Sequence, residues 1–491
     1  MDTNIQSLSN FRTKIHGSFP YRPDATMDLI DALSSNALVS ATSAKSPVEL
    51  SLNPLFHRQY CSLHDAVDNF LVPTSSDKEE EERTKHQHYR MSIVLEHYSK
   101  PFMRKFHLLA LDTTGGPRPF AVTLRDRGIH YHPNPAPGNR PIMAGHSFSV
   151  VAALPEKTEK NSPPWVIPLL IRRVPTDKKS IIVGAEQIAE IMKDQRLPFS
   201  GELCALTADS AYSVREFISQ MVTLPNLVLI VRARGNRTVY RGSPTLLGSS
   251  KDRGHPVWYG KPFNMKDPTT WGEPDTSEIV PLTFRNGRDC QANIETWHDM
   301  LMRGKHDIPM HEHPFTLMRI TVKDSNGEAV FKRSLWLIVI GKRRLEISPY
   351  DAYQAYRQRY DIEHFFRFGK NKLLMNSYQT PDVGHEENWW EIVGLAYAQL
   401  YISAPLAQNH PRPWERYLPE VKELKTGVLP SPSMVQRDMP TIIREIGTPA
   451  RLPKPRGISH GRMKGQSPGK RNRFPLIIKS TKKGQKYNRS P

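Results

Sequence analysis

The sequence is poor in cysteine and has no long apolar run. Only three cysteines occur in 491 residues, Cys61, Cys204 and Cys290. Their wide spacing argues against a disulfide framework or a zinc finger, because both need cysteine or histidine in closely spaced sets. No run reaches the roughly 18 apolar residues that a membrane helix needs, and the first residues lack the apolar core of a signal peptide. We therefore expect a cytoplasmic protein without a membrane partner.

Acidic residues are missing from the C-terminal tail. Residues 451–491 contain thirteen Lys or Arg and no Asp or Glu, so the tail accounts for +13 of the net charge of +19. The tail is also rich in Gly, Pro and Ser, a composition that predicts disorder. Such a polycation gains affinity for nucleic acid by releasing counterions. A solubilising tail without a partner is the alternative, since charge runs are usually solvated.

The first hundred residues have a helical pattern. The run from Asn53 to Val72 spaces apolar residues three or four positions apart, as on one face of a helix. These residues are Phe56, Tyr60, Leu63, Val67 and Phe70. The helices at 1–100 either bind a DNA end or simply pack against the rest of the protein.

Short apolar runs typical of strands begin at residue 106. We predict strands at 106–112, 119–124, 165–174, 202–208 and 227–231, a turn at 113–117, and helices at 185–193 and 212–221. This order is the one expected of an RNase H-like fold, an α/β fold whose mixed sheet is flanked by helices. Asp112 ends the first strand and Asp209 follows the fourth. If those strands are neighbours, both carboxylates lie at the edge where α/β sheets bind ligands.

Either aspartate could instead be an ordinary turn or helix cap. Asp126 and Asp194 are rival candidates for the two positions. Asp126 lies among Arg125, Arg127 and Gly128 in a turn, and Asp194 lies near the end of a helix. Neither follows an apolar strand as directly as Asp112 and Asp209 do.

A segment rich in Pro, Gly and Trp interrupts this pattern at 235–345. It includes a predicted hairpin with strands at 315–322 and 330–340. We interpret the segment as a β-rich insertion. The predicted boundaries are a helical N-terminal region at 1–100, core parts at 101–234 and 346–405 on either side of the insertion, a linker and helical region at 406–450, and the tail at 451–491.

The most informative residues lie on a helix predicted to start at Ser348-Pro349. Tyr356, Arg359, Glu363 and Lys370 stand at offsets 0, 3, 7 and 14. A helix turns by about 100° per residue, so the four lie within about 60° of one another. A neighbouring stripe is apolar and can pack on a sheet; it consists of Ile362, Phe366 and Leu373.

The polar stripe suits phosphodiester chemistry. A carboxylate binds divalent metal, cations hold phosphate oxygens, and an aromatic hydroxyl stacks on or hydrogen-bonds a strand end. The alternative is that Glu363 pairs with Arg359 and Arg367 at four-residue spacing and merely stabilises an exposed helix.

The pattern Tyr-x2-Arg-x3-Glu-x6-Lys resembles the signature of DDE transposases of bacterial insertion sequences. In that group the first aspartate precedes small or hydroxyl residues, as Asp112 precedes Thr113 and Thr114. The second precedes a turn with tyrosine, as Asp209 precedes Tyr212. The glutamate follows a β-rich insertion, and 154 positions separate Asp209 from Glu363. The resemblance covers about residues 100 to 405.

The resemblance implies a transposase that cuts and joins DNA at the ends of an insertion sequence. Asp112, Asp209 and Glu363 would be catalytic and would hold a pair of Mg²⁺ ions, for which Mn²⁺ substitutes. The residues implied to contact DNA are Tyr356, Arg359, Lys370, Arg232, Arg234, Asn236 and Arg237.

The resemblance also implies partners and a location. The partners would be the terminal inverted repeats, a target DNA and a second copy of the chain, in a bacterial cytoplasm at the nucleoid. Trp258, Trp271 or Trp297 could stack on a flipped base, as an insertion tryptophan does in some relatives, although core packing is the favoured interpretation of each.

Two other functions remain open. One is an RNase H-like nuclease that cuts without joining, although the insertion and the Tyr/Arg/Lys row argue against a minimal nuclease. The other is a catalytically silent DNA-binding protein, which the presence of all three carboxylates disfavours.

Overall fold

A mixed sheet of ten strands forms the centre of the protein. The computed structural model describes residues 3–36, 43–71, 79–136, 140–159, 162–242, 258–284, 287–408, 429–455, 461, 463–467 and 469–478. The strands are β1 His107–Pro117, β2 Gly128–Ala136, β3 Arg140–Ala153, β4 Ile167–Val174, β5 Cys204–Ala208, β6 Leu227–Arg232, β7 Thr238–Gly242, β8 Tyr259–Asn264, β9 Thr276–Thr283, β10 Asp289–Met300, β11 Phe315–Asp324 and β12 Leu335–Ile340. The helices are α1 Thr3–Gly17, α2 Pro23–Ser34, α3 Pro47–Leu50, α4 Tyr60–Asp68, α5 Glu79–Leu95, α6 Ser180–Lys193, α7 Arg215–Met221, α8 Pro349–Gln358, α9 Tyr360–Lys372, α10 Val383–Ser403 and α11 Pro432–Ile446.

Five of the strands have the pairing of an RNase H-like fold. β1 pairs antiparallel with β3, and β3 pairs antiparallel with β4. On its other side β1 pairs parallel with β5, which pairs parallel with β6. Helix α6 lies between β4 and β5 in the chain, and helix α7 connects the parallel strands β5 and β6. The predicted α/β fold with a mixed sheet is therefore confirmed.

The predicted turn at 113–117 and the predicted strand at 119–124 are both wrong. β1 continues to Pro117, and the next strands, β2 and β3, were not predicted. The Gly-Gly-Pro run has turn propensity, but Thr113–Pro117 pairs with β3 over its whole length. The two strands are so close that a Cβ at Gly145 would lie 2.2 Å from the carbonyl oxygen of Gly116. Long-range pairing therefore outweighs the local signal.

Other boundaries shift by a few residues. The strands predicted at 165–174, 202–208 and 227–231 are β4, β5 and β6, while the two crossover helices begin at Ser180 and Arg215. In the described part of the run from Asn53 to Val72, residues 53–71, only Tyr60–Asp68 is α-helical, and Tyr60 is 45% exposed. The hydrophobic spacing predicted the buried Leu63 and Val67 correctly but overestimated the length of the helix.

The β-rich insertion extends the central sheet. β12 pairs antiparallel with β6, and β11, β10 and β9 follow in order, so the sheet runs β2-β3-β1-β5-β6-β12-β11-β10-β9, with β4 also paired to β3. The predicted hairpin is confirmed as β11 and β12. β7 and β8 form a separate two-stranded sheet. The domain boundaries themselves stay predictions.

The N-terminal helices pack on α10. Every residue from Ala25 to Ser34 in α2 is buried. Asp31 of α2 forms a buried ion pair with Arg12, and its Oδ1 also accepts a hydrogen bond from Gln399 of α10 at 2.9 Å. Helix α10 in turn packs on β4. Because α2 is buried along its length, its observed role is packing; DNA binding by other parts of 1–100 stays a prediction.

Part of the predicted disordered tail is ordered. The backbone N–H groups of Phe474 and Ile477 donate to the carbonyl oxygens of Val122 and Arg127, each at 2.8 Å. The guanidinium of Arg125 lies over the Phe474 ring at 5.2 Å. The prediction of disorder is wrong here because an apolar run, Phe474 to Ile478, interrupts the basic residues. Residues 479–491 lie outside the described residues.

Among the helices of the described ranges, none is both long enough and apolar enough to span a membrane.

Candidate active site

Asp112 lies within β1 and faces helix α9. Its side chain is 16% exposed. One carboxylate oxygen, Oδ1, accepts from the backbone N–H of Thr113 at 2.8 Å, and the other, Oδ2, faces the guanidinium of Arg359 at 3.0 Å. The strand carries Asp112 into the site because its neighbour Leu111 points the other way, into the core, where it is fully buried.

Asp209 follows β5 and is close to Asp112. Leu111 of β1 pairs with Ala208 of β5, so the two aspartates come next along adjacent parallel strands. Asp209 Oδ1 accepts from the N–H of Ala211 at 2.9 Å, which fixes the turn that follows the strand. Burial raises the pKa of the nearby Tyr212, and the charges of Asp112 and Asp209 raise it further. The two aspartates converge as predicted, but the prediction that Asp112 ends its strand is wrong, because β1 continues to Pro117.

Glu363 lies in the first turn of α9. Helix α9 follows α8, which starts where the sequence predicted a helix. Ser348 caps α8 by accepting from the N–H of Asp351 at 3.1 Å, with Pro349 in the first turn. The predicted single helix is two helices, α8 and α9, that meet at Arg359. The backbone of Arg359 keeps helical angles, φ −47° and ψ −33°, so the segment holds its direction. The predicted apolar stripe is buried: Ile362, Phe366 and Leu373.

Arg359 bridges two of the three carboxylates. Its Nη1 lies 3.0 Å from Asp112 Oδ2, and its Nη2 lies 2.7 Å from Glu363 Oε1. The alternative pairing of Glu363 with Arg359 on one helix is therefore present. However, the same guanidinium also reaches across 247 positions of sequence to β1. Arg359 thus joins the helix to the sheet at the site instead of stabilising an exposed helix alone.

The surroundings of Asp112, including the two other carboxylates, raise its pKa. Burial raises the pKa of Asp112 to about 6, and the neighbouring charges of Asp209 and Glu363 add to the increase, while Arg359 opposes it. Clustered carboxylates raise pKa values in this way because like charges disfavour ionisation. A cation that joined the cluster would relieve this repulsion.

Lys370 and Tyr356 extend the polar stripe on either side of Glu363. Lys370 donates to Thr114 Oγ1 at 2.6 Å, and burial lowers the pKa of its ammonium to about 8. Burial raises the pKa of Tyr356, against the effect of Arg359 and Arg232. The predicted stripe therefore follows β1, with Arg359 at Asp112 and Lys370 two residues further on at Thr114.

The donor chemistry fits divalent metal, although the side chains are not gathered around one point. Carboxylate oxygens are the ligands that Mg²⁺ and Mn²⁺ prefer. In the part of the chain that the structure describes, no three Asp, Glu, His or Cys side chains are positioned to hold an ion together. Arg359 stands between Asp112 and Glu363, so a guanidinium now occupies carboxylate oxygens that a metal would need.

A protein-family model described as DDE superfamily endonuclease matches residues 22–304, more than half of the chain. The chain belongs to this family. The matched range contains Asp112 and Asp209 and ends before Glu363, and it includes most of the N-terminal helices. Divalent metal is the general cofactor of this family and DNA its substrate. A comparison with curated proteins gave no match.

The predicted basic segment of the DDE endonuclease follows β6. Arg232, Arg234 and Asn236 are exposed. Arg232 is near enough to affect the pKa of Tyr356, so it lies on the same side as the carboxylates. Arg237 donates to the carbonyl oxygen of Ser213 and is half-buried. Its observed contact braces the loop that follows Asp209.

The three insertion tryptophans considered for base stacking differ in exposure. Trp297 is 1% exposed, as core packing predicts. Trp271 is half-buried and donates through Nε1 to the carbonyl oxygen of Asn264 at 2.8 Å. Trp258 is stacked on His311, with ring centroids 4.0 Å apart. Packing contacts account for all three rings.

The two rival aspartates are engaged elsewhere. Asp126 pairs with Arg173 and accepts from the N–H of Thr176. Asp194 pairs with Arg196 and His88. These contacts give both aspartates roles away from the carboxylate cluster.

Sequence reasoning missed a buried ion cluster beside the site. Glu386 of α10 faces Arg118 at 2.9 Å and His146 at 2.5 Å, and the three side chains are at most 1% exposed. Arg118 also donates to the carbonyl oxygens of Asn376 and Tyr378, just beyond α9. The cluster therefore ties the end of β1 to the segment after α9. Helix α10 carries three glutamates, Glu386, Glu387 and Glu391, and the sequence does not show which of them is fully buried.

Proposed function

We propose that this DDE endonuclease is a transposase that cleaves DNA at the ends of an insertion sequence and joins those ends to a target. The observation that carries the proposal is the position of the Tyr356, Arg359, Glu363 and Lys370 stripe along β1, with Arg359 in contact with Asp112. A nuclease needs only acidic ligands, whereas this row adds cationic and aromatic groups that can retain a cleaved strand.

The proposed ligands are Asp112, Asp209 and Glu363. A pair of Mg²⁺ ions, or Mn²⁺ in their place, would supply Lewis acidity for the attacking and leaving oxygens. The carboxylates would fix the cations; burial, and to a smaller extent the charges of Asp209 and Glu363, raises the pKa of Asp112, and a nearby cation would favour its ionised form.

The remaining residues would position DNA. Arg359 is suited to a bidentate contact with phosphate, and Lys370 to a single charged contact. Tyr356 would contribute an aromatic ring and a hydroxyl group next to Arg359 and Arg232. Arg232, Arg234 and Asn236 would contact phosphates of the flanking duplex, and Arg237 would hold the Asp209 loop through Ser213.

Cleavage and joining are successive phosphoryl transfers. In the first, water attacks phosphorus, the bond to O3′ breaks, and a 3′-hydroxyl and a 5′-phosphate result. In the second, that 3′-hydroxyl attacks a target phosphodiester, a new bond forms, and the target is left with a free 3′-hydroxyl. We propose that a homodimer brings two ends together in the cytoplasm, at the nucleoid.

Two assays with synthetic duplexes test the proposal. The duplexes carry the inverted repeats that flank the coding sequence, either intact or cut to expose the 3′-hydroxyl. We expect the wild-type protein to cleave the first and to join the second to plasmid DNA, with Mg²⁺ required in both. Asp209→Asn and Glu363→Gln should lower both activities at least about a hundredfold.

Glu346→Gln is a matched control, because Glu346 is exposed and pairs with Arg343 away from the site. It should retain wild-type activity. Cleavage without joining would indicate a nuclease, and DNA binding without either reaction would indicate a silent binding protein. Full activity in Asp209→Asn or Glu363→Gln would refute the assignment of the carboxylates.

A further inference from the structure

Arg359 holds a position that a cation shared by Asp112 and Glu363 would also take. Its two terminal nitrogens each contact one carboxylate, at 3.0 Å and 2.7 Å, and its side chain is 13% exposed. Asp112 is 16% exposed, so little water screens its contact with the guanidinium, whereas Glu363 is 36% exposed and its contact is more strongly screened. Exposed ion pairs contribute little, but a pair shielded from water interacts strongly.

The same guanidinium is incompletely satisfied. The Nε of Arg359 is buried and has no hydrogen-bond partner among the described residues. A buried donor without an acceptor is unfavourable, so this arrangement is less stable than a fully bonded one. Arg359 also stands where α8 ends and α9 begins, with its own N–H directed to the carbonyl oxygens of both Ala355 and Tyr356. Because the backbone of Arg359 stays helical, its side chain can leave the carboxylates by rotation about its own bonds alone.

We propose that Arg359 is an internal counter-ion that competes with divalent metal for Asp112 and Glu363, and that a DNA phosphate removes this competition by drawing the guanidinium away. The inference rests on the proposed function, since it takes these carboxylates to be metal ligands. Metal and guanidinium cannot both neutralise the same oxygens, so apparent metal affinity falls with the fraction of molecules in which Arg359 is paired. A phosphate offers the guanidinium an equivalent bidentate partner.

This competition couples the two ligands. If bound DNA raises the affinity for metal by some factor, bound metal must raise the affinity for DNA by the same factor, because binding linkage is reciprocal. The endonuclease would thus bind metal strongly only when a phosphate backbone lies in the site. Such coupling would restrict cleavage to bound DNA ends.

Titration calorimetry with Mn²⁺, on the full chain without DNA, tests the inference by a measurement other than activity. We expect Arg359→Ala to bind Mn²⁺ about tenfold more tightly than the wild-type protein, within the usual range of coupling between sites. Arg196→Ala is the matched control, because Arg196 also pairs with an aspartate, Asp194, but does so away from the carboxylate cluster. It should leave Mn²⁺ affinity within about twofold of wild type.

A repeat titration with a non-cleavable phosphorothioate duplex completes the test. DNA should raise the Mn²⁺ affinity of the wild-type protein about tenfold and that of Arg359→Ala by much less. If circular dichroism shows that Arg359→Ala is unfolded, Arg359→Gln replaces it in both titrations, because glutamine removes the charge and keeps a long polar side chain. Equal or weaker Mn²⁺ binding by the folded Arg359 variant overturns the inference.

Carboxylate variants separate the two proposals. If Asp112→Asn and Glu363→Gln weaken Mn²⁺ binding while the Arg359 variant does not strengthen it, the counter-ion inference fails and the proposed ligands stand. If neither carboxylate variant changes Mn²⁺ binding, the proposed function fails as well.

Discussion

Substitution of Glu386 should destabilise the protein severely. Glu386→Gln keeps the shape of the side chain but removes the charge that faces Arg118 and His146, all three being at most 1% exposed. Removing one partner of a buried ion pair typically costs about 3–5 kcal/mol, because the remaining charge is left uncompensated. Arg118 keeps hydrogen bonds to the carbonyl oxygens of Asn376 and Tyr378, each at 2.9 Å. We therefore expect the lower end, about 3 kcal/mol.

The adjacent residue provides the control. Glu387 is 18% exposed and pairs with Arg83 and Arg173, and water partly screens these pairs, so Glu387→Gln should cost about 1–2 kcal/mol, less than Glu386→Gln. Urea unfolding followed by circular dichroism and by tryptophan fluorescence gives both values, provided that the slope with urea is unchanged. A loss for Glu386→Gln that equals the loss for Glu387→Gln would refute the reasoning, since it would mean that Arg118 is adequately solvated without the carboxylate.

Two further predictions concern stability. The hydrogen bond with Glu190 raises the pKa of His88, and the hydrogen bond with Asp194 adds to the increase. Protonated His88 therefore stabilises the folded protein fully below the unfolded pKa near 6.5, and this stabilisation is lost as pH rises through the folded pKa. His88→Gln should therefore destabilise more at about pH 6 than at about pH 8.5 in urea titrations, and an equal loss would contradict the assignment. Gly145→Ala would place its Cβ 2.2 Å from the Gly116 carbonyl oxygen, so we expect a lowered melting temperature by calorimetry, whereas an unchanged one would show that β1 and β3 are less closely paired.

The parts of the site that depend on local periodicity could be predicted from the sequence. The spacing of Arg359, Glu363 and Lys370 places them on one face of a helix, and all three contact or approach β1 in the structure. Asp112 and Asp209 were predicted from their positions at strand ends, and the parallel pairing of β1 with β5 brings them together. Periods of two and 3.6 residues are local properties, so they can be read without knowledge of the fold.

Features that depend on distant partners could not be predicted. The Thr113–Pro117 run has a turn-like composition, and only β3 makes it a strand. The bridge from Arg359 to Asp112 and the contact of Glu386 with Arg118 each join residues more than two hundred positions apart. The docking of Phe474 on Val122 depends on a contact of the same kind. Charge patterns identify such groups as ionic without showing which partner each one meets.

The central claim is that Asp112, Asp209 and Glu363 share divalent metal. Crystals of the DDE endonuclease with a duplex end and Mn²⁺, measured at the manganese absorption edge, test it most directly. We predict anomalous peaks within about 2 Å of carboxylate oxygens from all three residues, with Arg359 turned towards a phosphate. Manganese bound elsewhere, with Arg359 still bridging Asp112 and Glu363 in the presence of DNA, would contradict the account.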